Sequence, residues 1–168
     1  PANKILVTGN PIRKNIIDHS YTKESALQVF GLQAAKKTIL IMGGSLGASS
    51  INKAIQANLV SFFEKNIQLI WQTGKPNAEI YAQSAHSYKN VFVHSFIDNM
   101  SAAYAAADMV ISRSGAMAVA EICITGKPAV FVPYPLAAED HQTFNAKTLV
   151  HKNAAAMVKD KEVGNDLI

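Results

Sequence analysis

Thr38-Ile39-Leu40-Ile41-Met42-Gly43-Gly44-Ser45-Leu46-Gly47-Ala48-Ser49-Ser50 passes from an apolar run through a glycine turn into a helix opening without a spare residue. The apolar run has the character of a buried strand and stops at Gly43-Gly44, where the backbone is free to take positive φ. A helix from about Ser49 then points its first free N–H groups back at the turn, an arrangement suited to an anion such as phosphate. The spacing is Gly-Gly-x-x-Gly. It matches neither the dinucleotide Gly-x-Gly-x-x-Gly nor a Walker A loop, because no Gly-Lys-Ser/Thr closes it. The plainer alternative is a βα turn that uses glycine for tight packing alone.

Outward from this stretch the same pattern recurs. Lys4 to Thr8 reads as a strand stopped at Gly9-Asn10-Pro11, with Arg13 on the following loop. Thr22 to Leu32 reads as a short helix ending at Gly31. The helix after the glycine turn carries Ile51, Ile55, Leu59, Phe62 and Phe63 at helical spacing, which predicts one continuous helix with one face on a sheet. Strands are expected at 67–71, 91–93, 109–112, 129–132 and within 154–158, with helices near 78–86, 99–107, 116–125 and 140–152. Asn99 or Asp98 is placed to cap one of these helices and Asp140 another. Strands alternating with helices predict an α/β, Rossmann-like parallel sheet with helices on both faces. In such folds ligands gather at the carboxyl ends of the strands. Gly43-Gly44-Ser45, Ile97-Asp98, Ser114-Gly115-Ala116 and the loop after Val132 all fall there.

Composition bounds the function classes. The 168 residues are 49% hydrophobic, enough for one good core, so a single domain over 1–168 is expected. The charge of +4 is spread thinly over a chain only 17% charged, which argues against a nucleic-acid partner. Cys123 is the lone cysteine, so no internal disulfide forms, and a reducing compartment is expected. No apolar stretch has the length of a membrane-spanning helix and no signal peptide opens the sequence. The first residue is Pro1 rather than Met, from which excision from a longer protein is expected.

Several residues carry chemistry. Two glycine turns that each open a helix, Gly43-Gly44-Ser45-Leu46-Gly47 and Ser114-Gly115-Ala116, could share one diphosphate, with Ser45 and Ser114 adding hydroxyls. Glu121 stands in a helix otherwise apolar all round. A carboxylate there needs hydrogen-bond partners. A ribose diol would supply two; an ion pair with Arg113 or Lys127 is the structural alternative. Glu139-Asp140-His141-Gln142, with Asn145 a turn further on, forms a polar cluster whose neutral donors and acceptors suit sugar hydroxyls better than a metal ion, and no metal site is expected. A Ser114-His141-Asp140 triad is disfavoured because Gly-x-Ser-x-Gly is absent.

Taken together, these residues make the sequence resemble the C-terminal, donor-binding domain of the MurG family of N-acetylglucosaminyltransferases. The resemblance covers nearly the whole chain. It rests on Gly9-Asn10-Pro11-Ile12-Arg13, Gly43 to Ala48, Phe96-Ile97-Asp98-Asn99-Met100, Arg113-Ser114-Gly115-Ala116 with Glu121, and Asp140-His141-Gln142-Thr143-Phe144-Asn145-Ala146, in that order. The resemblance implies a UDP-GlcNAc donor, with uracil near the Ile97 backbone and the Met100 side chain. It places Arg13, Ser45 and the helix start at Ala116-Met117 on the diphosphate, Glu121 on the ribose, and His141, Gln142 and Asn145 on the sugar. It further implies an inverting transfer of GlcNAc to undecaprenyl-pyrophosphoryl-MurNAc-pentapeptide during peptidoglycan synthesis, with no cofactor and no metal. The family has two Rossmann-like domains in the GT-B arrangement. Its N-terminal domain, which would hold the lipid-linked acceptor, the base and the membrane-docking patch, is not represented here, so no catalytic residue is expected in this chain. The parent would work as a peripheral protein at the cytoplasmic side of the bacterial cell membrane.

Three other readings compete. A separate donor-binding subunit of a two-subunit N-acetylglucosaminyltransferase has the same site. A UDP-sugar epimerase of similar fold is another possibility. An NAD-dependent oxidoreductase is disfavoured, since the strand after the glycine turn ends at Trp71-Gln72 with no acidic residue for a second ribose.

Overall fold

Strand β1 (Lys37–Met42) is buried from Thr38 onward, and its uninterrupted apolar run suits a central strand covered on both faces. A computed structural model, which describes residues 4, 6, 8–18, 20–76 and 78–167, places it third in a six-stranded sheet. The strands are β2 (Ile67–Gln72), β3 (Val91–His94), β4 (Met109–Ser112), β5 (Ala129–Phe131) and β6 (Ala156–Met157). Their order is β3-β2-β1-β4-β5-β6, and every pairing is parallel. The strand expected over 4–8 includes Ile5 and Val7, which lie outside the described residues.

The period-two alternation of β1 divides the core. Ile39 and Ile41 face Leu69, Trp71 and Ile111 under helices α3 (Ser49–Ala57), α4 (Leu59–Glu64) and α5 (Ala78–Ala85). Leu40 and Met42 face the other way, with Ile70, Val110 and Phe131. There they meet α2 (Lys23–Val29), α6 (Met100–Ala106), α7 (Ala116–Thr125) and α8 (His141–Val150). The short helices α1 (Lys14–Ile17) and α9 (Val163–Asp166) complete the two layers. Thr22 caps α2 by accepting from the Ser25 N–H, and Asn99 caps α6 by accepting from the Ala102 N–H. None of the helices among the described residues is long and apolar enough to cross a membrane.

Two expectations change. The single helix expected after the glycine turn is two, because it breaks at Asn58 (φ −112, ψ 13), whose side-chain amide donates to the Ala54 carbonyl. Phe63 therefore leaves the buried face and packs edge-on against Tyr88 at the surface. Asp140 is not a side-chain cap for α8. It and Glu139 both adopt left-handed φ, at 52° and 51°, and the Asp140 carboxylate makes no capping bond.

Below the sheet, at the start of β4, Asp108 ties three elements together. It accepts from Lys23 Nζ of α2 at 2.6 Å and from the Thr38 N–H of β1 at 2.8 Å, with Lys37 3.5 Å away. Partial burial acts to raise its pKa. The hydrogen bonds from Lys23 and Thr38 and the two ammonium charges outweigh that and hold the carboxyl below its ordinary value. A depressed folded pKa contributes stability above the unfolded value of about 3.9 that fades as pH falls through the folded one. Asp108→Asn is expected to cost about 1 kcal/mol at neutral pH. Urea unfolding across pH should show the gap between the two proteins closing below about pH 4.

Candidate functional site

Strands β1 and β4 are neighbours in the sheet, yet the chain leaves them in opposite directions, β1 leading to β2 on one side and β4 to β5 on the other. Such a switch point leaves a gap above the carboxyl ends of the strands. Here it is a crevice of about 780 Å³. Gly43 to Ser50 form one wall, and Ser112, Arg113, Gly115, Met117 and Ala118 the other. Arg13, Gln72, Phe96, Ile97, Met100, Glu121, Tyr134, Gln142 and Asp160 complete it.

The first wall is built by close approach. A side chain on Gly47, at φ +76, would run into the Thr73 carbonyl, and one on Gly74 would meet the backbone of Leu46 and Gly47. The loop after β1 thus lies directly on the loop after β2. Two buried amides fix it there. Asn52 donates to the Thr73 carbonyl at 2.8 Å while accepting from the Trp71 indole at 3.0 Å. Gln72 donates to the Gly44 carbonyl at 3.2 Å and accepts from the Ile97 N–H at 2.9 Å, so one side chain joins the glycine loop to the Phe96-Ile97 loop. Ser45 sits exposed at the lip.

Neither helix opening on the crevice has a side-chain cap. The N-caps are Ala48 for α3 and Gly115 for α7, and both leave their first N–H groups without a side-chain acceptor. Two helix N-termini, each with a partial positive charge of about half a unit, face one gap. This is a setting for a polyanion rather than for a cation. Among the described residues, no three His, Cys, Asp or Glu side chains come together as a metal would require.

In the second wall both terminal nitrogens of Arg113 are bonded to protein partners. Its Nη1 donates to the Val132 and Pro133 carbonyls, both at 3.1 Å, and to Asp160 Oδ1 at 2.5 Å; its Nη2 donates to Ser50 Oγ at 3.1 Å. Ser50 in turn donates to Asp160 at 2.6 Å, and the guanidinium lies over the Tyr134 ring. The group clamps the start of α3, the ends of β4 and β5, and the chain before α9.

Glu121 lies in the floor, only 5% exposed. Its carboxylate accepts Arg13 Nε and Nη2, each at 2.9 Å, and the Tyr104 hydroxyl at 3.1 Å. Burial first, and then the neighbouring carboxylate, push the Tyr104 phenol pKa well above its ordinary value, so it remains a donor. The ion pair weighed for Glu121 thus exists with a different partner. Arg113 is held by Asp160, and Lys127 makes no bond to Glu121. The α7 sequence shows that Glu121 needs a partner but not that one would come from Arg13, 108 residues away.

Of the residues singled out from sequence, Arg13, Gly43, Gly44, Ser45, Gly47, Ile97, Met100, Gly115, Met117, Glu121 and Gln142 line the crevice. Ser114, Ala116, His141 and Asn145 do not. Ser114 is fully buried and its hydroxyl donates to the Gln142 carbonyl at 2.8 Å, so the hydroxyl expected to face the crevice points into the α7–α8 contact. Asn145 donates to the Ser114 carbonyl at 3.0 Å, and exposed His141 bonds back to the Ala138 carbonyl through Nδ1. Gln142 accepts from the Tyr134 N–H at 3.0 Å. Sequence reasoning missed Gln72, Tyr104, Asp160 and the clamp role of Arg113. Only Gln72 carries a local signal, a polar residue closing an apolar strand.

Residues 38–168 match the family described as Glycosyltransferase family 28 C-terminal domain. The chain is 49% identical over 170 residues to the UDP-N-acetylglucosamine--N-acetylmuramyl-(pentapeptide) pyrophosphoryl-undecaprenol N-acetylglucosamine transferase of Parabacteroides distasonis, covering all of this chain and 46% of that protein. It is 50% identical over 176 residues to the protein of the same name from Bacteroides fragilis, covering all of this chain and 45% of that protein. The crystal structure of Acinetobacter baumannii MurG superposes with a TM-score of 0.69 at 33% identity, over 98% of this chain and 48% of that one. The chain spans about half the length of the curated relatives it matches.

Proposed function

Because the chain belongs to the Glycosyltransferase family 28 C-terminal domain family, we propose that its strand-end crevice binds UDP-GlcNAc as the donor half of an inverting N-acetylglucosaminyltransferase of peptidoglycan synthesis. One observation carries the reading: two uncapped helix N-termini flank a crevice whose floor holds a buried carboxylate. The diphosphate lies between the openings of α3 and α7, reached by Ser45 and Arg13, and the ribose diol donates to Glu121. The Ile97 N–H is taken by Gln72, which leaves the Ile97 carbonyl for the uracil, packed against Met100. Gln142 presents its free amide donors to the sugar. Asn145, bonded to the Ser114 carbonyl, holds the turn beneath it.

This half binds and orients; it lowers a barrier only if an acceptor is positioned against the donor. We assign the lipid-linked acceptor, its base and the contact with the cytoplasmic face of the membrane to a second domain, like the half of the relatives that this chain does not span. A separate subunit or an epimerase is the weaker reading, since the Parabacteroides and Bacteroides relatives, of which this chain spans about half, are named as transferases. The NAD reading is weaker still, because Gln72 at the end of β2 is spent on Gly44 and Ile97.

Titration calorimetry with UDP-GlcNAc, UDP and NAD tests the proposal. Both uridine ligands are expected to bind more tightly than NAD. Tighter binding of NAD would overturn it.

A further inference from the structure

We propose that Arg13 is a specificity residue that stands in for the ribose diol in the free domain and moves to the diphosphate when a nucleotide enters. The inference rests on the proposed placement of ribose on Glu121. Its basis is the pair itself: Arg13 meets the carboxylate with two parallel N–H donors, one to each oxygen, at 2.9 Å. A vicinal diol offers the same carboxylate two O–H donors. The two donor pairs cannot occupy Glu121 together, because the Tyr104 hydroxyl already takes a further acceptor position on Oε2.

The two partners differ in mobility. Glu121 and Tyr104 are buried and fixed by α7 and α6, whereas the Arg13 side chain is 44% exposed and stands on the loop before α1. The guanidinium is the part that can leave. An arginine leaving a carboxylate loses a charge-assisted pair and needs another anion to recover it. A diphosphate between the α3 and α7 openings, in the crevice that Arg13 also lines, is such an anion. A nucleoside brings the diol but no anion, so it displaces Arg13 without compensation. A nucleoside diphosphate brings both. The exchange makes the diol and the diphosphate each worth more when the other is present, and it discriminates against nucleosides even though they carry the base and the ribose.

Four ligands and four proteins test this: uridine, UDP and their 2′,3′-dideoxy forms, with the original chain, Arg13→Ala, Arg13→Lys and Glu121→Ala, by calorimetric competition. In the original chain the diphosphate is expected to raise affinity more for uridine than for dideoxyuridine. In Arg13→Ala uridine is expected to bind about three- to tenfold more tightly, the size of one partly exposed ion pair, while UDP weakens by about tenfold. Arg13→Lys keeps a charge for the diphosphate but not the fork. It is expected to retain most UDP affinity and still bind uridine more tightly. Unchanged or weaker uridine binding in both Arg13 variants, or equal diphosphate gains with and without the diol in the original chain, would overturn the exchange. If UDP binding ignores Glu121→Ala as well, the ribose placement itself fails; if it responds while Arg13 does not, only the exchange fails.

Discussion

Glu121→Ala is expected to weaken UDP binding by about 1.5–3 kcal/mol, the range for hydrogen bonds to a charged acceptor. The same substitution is expected to lower the unfolding free energy. From the α7 sequence alone, an unpaired carboxylate would be released with its desolvation cost, and stability would fall little or even rise. The structure makes the expected loss larger: Glu121 accepts from Arg13 and Tyr104, and its removal leaves the buried Tyr104 hydroxyl without its carboxylate. A loss of about 1–3 kcal/mol follows, because the buried hydroxyl keeps only the weak Met42 Sδ acceptor at 3.7 Å. Because both readouts fall, affinity alone does not distinguish a ribose contact from loosened structure. Comparison of UDP with 2′,3′-dideoxy-UDP does. The diol is expected to matter to the original chain and to be nearly irrelevant to the variant. An equal loss on removing the diol in both proteins would place the ribose contact elsewhere.

The parts of the fold that follow local rules were legible before the structure. β1, β2 and β4 are short apolar runs, each followed by a turn, and the parallel sheet follows from their alternation with helices. The glycine turn and the odd carboxylate in α7 were legible for the same reason, since each violates its local context. Pairings across the sheet were not. Arg13 and Glu121 are 108 residues apart, and Arg113 and Asp160 are 47 apart. Nothing in Lys159-Asp160-Lys161-Glu162 separates Asp160 from a solvated charge run. Ser114 shows a second limit. A serine in a glycine turn reads as a ligand, but direction decides, and its hydroxyl points to the Gln142 carbonyl behind the wall. The break at Asn58 shows a third, because an amide bonded back to Ala54 ends a helix whose apolar spacing continues unbroken.

Arg113→Ala is expected to destabilise the domain by about 3 kcal/mol, the cost of breaking a largely buried pair by removing one partner. Its side chain is 12% exposed, and three acceptors besides Asp160 lose a donor: the Val132 and Pro133 carbonyls and Ser50 Oγ. UDP affinity is expected to fall too, because Ser50 and Tyr134 line the crevice and are held by the guanidinium. Asp160→Ala separates this clamp from a direct role in binding phosphate. If Arg113 acts as a clamp, losing Asp160 also lowers both stability and affinity. The double variant then falls short of the sum of the singles by about 1–3 kcal/mol in urea unfolding. If Arg113 is instead a phosphate ligand restrained by Asp160, the Asp160→Ala protein binds UDP more tightly, and the gain shrinks as salt rises. Tighter, salt-sensitive binding in that variant would replace the clamp with a direct contact, and additive losses would show that the two side chains act independently.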